Sequence, residues 1–171
     1  MESVREGVES AGWELSGLQK TTSHQFEGRW EGESTRSAYL FFHRAAGPDH
    51  VSIDVYLDET SQGLTGNLAL VVDLVALADL GDPGEVLRRL GALSSTLLPG
   101  EHGTPLTLRL RLKDAGDDPV AAETEVRFKL RIPRRSIAAG PAAISGLAAT
   151  TVTAFERVLA SPELARYVVS D

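Results

Sequence analysis

The sequence has no cysteine. That excludes disulfides, thiolate nucleophiles and zinc–thiolate sites together. It also lacks a long uninterrupted apolar run. The most apolar stretch, 68–80, is broken by Asp73 and Asp79 and is too short to cross a bilayer as a helix. The first residues, Met1-Glu2-Ser3-Val4-Arg5-Glu6, are acidic and hold no apolar core, so they do not read as a secretory signal. A cytoplasmic address is expected. There is no GxSxG elbow, no GxxxxGK[ST] loop and no GxGxxG following a strand. No HExxH is present, and none of His24, His43, His50 and His102 stand four apart on a helix, so they read as surface and turn residues. The acidic stretch beginning at Asp114 lacks the alternating oxygen ligands of a calcium loop. No cofactor is expected, and no catalysis.

What remains is the composition of an ordinary folded domain. Hydrophobic residues make up 42% and charged residues 24% of the 171 positions, which is enough apolar surface to offset chain entropy. A chain of this length buries about 70% of its unfolded surface. With no repeat, low-complexity segment or linker, residues 1–171 read as a single domain. The net charge of −7 favours solubility and disfavours non-specific binding to nucleic acid by the molecule as a whole.

Hydrophobic periodicity assigns the elements. Val4 and Val8 share one face of a short helix that Gly12 ends. Residues 13–31, with Trp13, Leu15, Phe26 and Trp30, read as two weak strands with a turn near 21–23. A stronger strand at 37–44 sets Tyr39 and Phe41 on one face and Leu40 and Phe42 on the other, which implies a central or doubly covered position. Val51, Ile53, Val55 and Leu57 alternate with polar residues, the mark of a strand with one buried face. Residues 63–67 read as a turn. The run 68–75 suits a strand, although a continuous apolar run leaves a helix open.

The clearest helix start is Asp82-Pro83-Gly84-Glu85. Asp82 can accept from the first free amides, and Pro83 occupies a position where its missing N–H costs nothing. An apolar stripe through Val86, Leu87, Leu90, Leu93, Leu97 and Leu98 follows, and Pro99-Gly100 stops it. Next come two strictly alternating strands, Leu106 to Lys113 and Glu125 to Ile132, joined by an acidic loop over 114–123. A long helix is expected over 141–159, then a short one from Ser161 to Val168. The class is α+β, an antiparallel sheet with helices packed on it.

The conspicuous polar feature is a cationic hairpin face. Arg109, Arg111 and Lys113 on one strand, and Arg127, Lys129 and Arg131 on the next, are expected to point the same way. Like charges opposed across strands destabilise one another, so something must relieve them. Asp54 and Asp58 on a neighbouring strand are internal candidates. With Glu59 they are also candidates for acid–base work, but a polar strand face ordinarily meets solvent or a cation. External relief would come from an acidic protein segment or a phosphate backbone. No aromatic residue appears on this hairpin face, which counts against single-strand nucleic-acid recognition.

Three segments carry a resemblance: a short helix running into Ala11-Gly12-Trp13-Glu14-Leu15, a capped leucine helix ending Leu97-Leu98-Pro99-Gly100 before an alternating strand, and a strand followed by a long helix over 127–159 with a break at 134–141. In pattern they resemble the YbjN-like family of bacterial sensory transduction regulators, which shares its fold with type III secretion chaperones. The stretch 16–67 is longer than that pattern, and Gly91-Ala92 and Ser94-Ser95 stand where the family shows asparagines. The resemblance implies a type III secretion chaperone-like fold, a homodimer, and a non-catalytic role in binding or stabilising a protein client. Val86, Leu87, Leu90 and Leu93 are then candidates for the dimer interface. Direct nucleic-acid binding through the basic face is the alternative, and a small-molecule-binding or catalytic domain with a cavity between sheet and helices is a third option.

Overall fold

The computed structural model describes residues 1–23, 35–60, 63–100, 106–113 and 120–169. Its core is a six-stranded, wholly antiparallel sheet in the order β1-β2-β3-β4-β6-β5. The strands are β1 (Glu14–Ser23), β2 (Thr35–His43), β3 (Val51–Thr60), β4 (Gly63–Asp73), β5 (Leu106–Lys113) and β6 (Val120–Arg131). Helix α1 (Glu2–Ser10) precedes the sheet; α2 (Leu77–Leu80) and α3 (Pro83–Leu97) link β4 to β5; α4 (Arg134–Ala138), α5 (Pro141–Leu159) and α6 (Pro162–Ala165) follow it. The α+β reading holds.

Strand alternation decides which side is buried. Phe42, Ile53, Leu70, Phe128 and Leu106 stand in register across β2, β3, β4, β6 and β5. The first four are fully buried. Leu40, Val55, Leu68 and Leu130 form the next row. Val86 and Leu90 of α3, Ala148, Val152 and Phe155 of α5, and Val4 and Val8 of α1 close over these rows as one continuous core. The layering is therefore helices on one face of the sheet, and among the described residues no helix packs on the other, which is called the open face below.

The helix boundaries have local causes. Asp82 caps α3, accepting from the Gly84 and Glu85 amides at 3.3 and 3.2 Å. Replacing Asp82 with alanine should cost about 0.5–2 kcal/mol, read from the urea midpoint at unchanged m-value. Helix α5 runs over the expected span, Pro141–Leu159, starting after Gly140 at φ +95°. Helix α1 crosses α5 at Gly7, where a Cβ would lie 2.3 Å from the Ser145 carbonyl oxygen.

Several expectations are corrected. Thr21, Thr22 and Ser23 form no turn, because β1 continues through them, paired with Ser37, Arg36 and Thr35. Residues 24–34, with Phe26 and Trp30, lie outside the described residues. Residues 63–67 already belong to β4, whose Gly63 pairs with Thr60. The run from 68 is a strand, settled by pairing with both β3 and β6, and it ends at Asp73. Strand β6 starts at Val120, so the loop before it is shorter than 114–123; residues 114–119 lie outside the described residues. The last helix stops at Ala165, and Val168 instead bridges to Leu74.

Candidate functional site: the open face of the sheet

The residues between the core positions build the open face. Tyr39, Tyr56, Asn67 and Arg131 form one row across β2, β3, β4 and β6. Phe41, Asp54, Ala69 and Lys129 form the next. Ser52, Val71, Arg127 and Thr107 follow, and Asp73, Glu125 and Arg109 end the series. Aromatic residues thus occupy the β2–β3 side and cations the β6–β5 side of one surface. The Tyr39 and Tyr56 rings are 4.9 Å apart at their centroids and tilted by 40°. That geometry suits an aromatic pair. Tyr39 keeps 36% of its surface exposed.

A charged network crosses the middle. The Arg127 guanidinium donates to Glu125 at 2.8 Å and reaches across β4 to Asp54 at 3.1 Å. Arg109 meets the same Glu125 at 3.1 Å. Ala69 and Val71 occupy this face of β4 and are buried. Ser52 donates to Asp54 at 3.1 Å. Asp58 does not join the network; it accepts from Ser37 at 2.7 Å.

Burial raises the Asp54 carboxyl above its ordinary value of 3.8, against the opposing pull of Arg127 and Ser52. The folded state then holds the proton more tightly than the unfolded chain. Stability contributed by this group is greatest below 3.8 and falls as pH rises through the raised folded value. The Asp54→Asn variant does not titrate there. Its stability relative to wild type should therefore rise as pH is raised above 3.8, measured by paired denaturant titrations.

The hairpin cations separate into two groups. Arg109 stands opposite Glu125 and Arg111 opposite Glu123, while Thr107 stands opposite Arg127. The expected opposition of like charges is absent at these positions, because the register slides the β5 cations onto the β6 acids. Arg127 and Arg109 are spent within the chain. Lys129 and Arg131 are exposed and, among the described residues, have no acidic partner. The side chains of Arg111 and Lys113 lie outside the described residues.

The four α3 residues proposed for a dimer interface also divide. Val86 and Leu90 are buried in the chain's own core, so they have no surface to offer a second copy. Leu87 is exposed and Leu93 half-buried against the core. The central or doubly covered position expected for β2 holds as central, since β2 pairs with β1 on one side and β3 on the other. Leu40 and Phe42 are buried, but Tyr39 and Phe41 face the open side.

The aromatic trio Tyr39, Phe41 and Tyr56 was missed as part of the cationic surface. Alternation within each strand was visible; what could not be counted from one strand was that β2, β3 and β6 share a face. Among the described residues, no cluster of three or more histidine, aspartate or glutamate side chains could hold a metal ion, and no helix is long and apolar enough to cross a membrane. Comparison with protein-family models, curated proteins and solved structures finds no match.

Proposed function

We propose that the chain is a non-catalytic protein-binding domain, a chaperone-like or adaptor protein that works as a cytoplasmic homodimer and docks a protein client on the open face of its sheet. One observation supports this reading above the rest: Tyr39, Phe41 and Tyr56 share with Lys129 and Arg131 a sheet face on which no helix packs among the described residues. Tyrosine supplies amphipathic contact area at low entropic cost, the chemistry of interface anchors. These two cations, which have no acidic partner among the described residues, suit an acidic segment at the rim, where charge governs encounter rate more than final affinity.

The test compares client capture by wild type and by two variants, Tyr39→Asp/Tyr56→Asp and Lys129→Glu/Arg131→Glu. A stoichiometric client should be retained by wild type and lost from the tyrosine variant. The charge variant should capture it more slowly. Equal retention by all three overturns the reading. Light scattering tests the homodimer: a particle mass twice the 18.3 kDa of the chain is expected, and 18.3 kDa contradicts it.

A second reading gains from the same observation. Aromatic rings beside cations on a sheet are also a platform for single-stranded nucleic acid. Filter binding of a labelled oligonucleotide at about 50 mM salt discriminates. Retention that falls steeply with salt supports nucleic acid, and no retention removes it.

A further inference from the structure

A cavity of about 440 Å³ lies away from the open face, where the turn between β2 and β3 meets the ends of α5 and α6. Val51, Leu159 and Val168 supply apolar wall, and Trp13 also lines it. Arg44 and Glu156 also line it, joined as an ion pair. Glu156 is held from a second side by the Trp13 indole N–H, which donates to Oε1 at 2.8 Å. The Arg44 guanidinium lies over the Trp13 ring, 5.5 Å from its centroid. The pair is therefore fixed by the fully buried Trp13 and does not swing freely.

The pair keeps hydrogen-bonding capacity. A guanidinium has five donors and a carboxylate about four acceptor positions. Among the described residues, Glu156 has two of its positions occupied, one by Trp13 and one by Arg44. Arg44 remains 47% and Glu156 28% exposed. A ligand with only a carboxylate would meet repulsion from Glu156, and one with only an ammonium would meet repulsion from Arg44. A ligand carrying both groups on one carbon meets complementary charge at each. The volume falls within the range of small-molecule sites and leaves room for an apolar side chain.

We propose that this cavity binds a zwitterionic α-amino acid with an apolar side chain, its carboxylate on Arg44, its ammonium on Glu156 and its side chain against Val51, Leu159 and Val168. The site is independent of the client-docking face. It would give the domain a small-molecule input at the edge opposite its charged hairpin.

The experiment uses the full chain with Trp30→Phe, so that Trp13 provides the single indole N–H resonance. L-leucine, 4-methylpentanoate, 3-methylbutylamine and a leucine-terminated tetrapeptide are titrated separately. Leucine should shift the Trp13 resonance saturably. The acid and the amine should each bind at least about tenfold more weakly. Arg44→Met and Glu156→Gln should each weaken leucine about tenfold, while circular dichroism confirms that both remain folded. Three results overturn the proposal: no saturable shift with leucine, equal binding of leucine and its two single-charge analogues, or tighter binding of the tetrapeptide, which would make the cavity a peptide site.

Discussion

Truncating Phe128 to alanine should destabilise the protein by about 3–5 kcal/mol. Phe128 is fully buried and stands in register between Leu70 on β4 and Leu106 on β5, at the middle of the helix-covered face. No side chain in the neighbouring strands can move into the space without abandoning its own row, so the cavity persists and adds to the lost transfer energy. The loss is a large part of the 5–15 kcal/mol typical of a whole domain. Chemical denaturation measures it directly. Leu87→Ala, at an exposed position of α3, should change stability by less than about 0.5 kcal/mol. Equal effects at the two sites would mean that the covered face is not the core.

The second large effect comes from adding a single methyl group. Helix propensity alone says that Gly→Ala inside a helix stabilises by about 1 kcal/mol. At Gly7 the sign should reverse. The new Cβ would sit 2.3 Å from the Ser145 carbonyl oxygen and 2.7 Å from the Ala148 Cβ. The nearer atom is backbone in α5 and cannot rotate aside, so α1 must lift away from α5 and loosen Val4 and Val8. Overpacking of this kind costs about 1–3 kcal/mol, so Gly7→Ala should lower Tm by roughly 2–10 °C for a chain of this length. Gly91→Ala is the control. It lies within α3 with nothing within 4 Å of the added atom, and there the propensity gain should appear as a raised Tm. A stabilised Gly7→Ala would contradict the close crossing of α1 and α5.

Elements governed by local rules were legible in the sequence. The cap at Asp82, the span of α5 and the alternation in β3, β5 and β6 each follow from residues within one turn or one strand pair. Errors arose where a partner strand decides. Thr21 to Ser23 look like a turn in isolation, yet pairing with Thr35 to Ser37 holds them extended. Gly63 and Gly66 suggest a loop, but β3 pairs with them through Thr60 and Leu57 and holds them in β4.

The candidate surface was half legible for the same reason. Its cations were visible, as was Asp54 as a source of internal relief. Glu125 was visible too, but its role depends on the register that sets it against Arg109 and Arg127. The Trp13–Glu156 contact joins residues 143 apart, and no spacing rule reaches that far. The stripe on α3 was read correctly as apolar, but surface and interior look alike in a periodic pattern. Only packing shows Val86 and Leu90 inside and Leu87 outside.

The most direct measurement is side-chain footprinting of the wild-type protein, free and in complex with its captured client. Labelling of Tyr39 and Tyr56 should fall several-fold in the complex, while Leu87, on the helical side, stays unchanged. Unchanged labelling at both tyrosines, with protection moved to α3, would contradict docking on the open face.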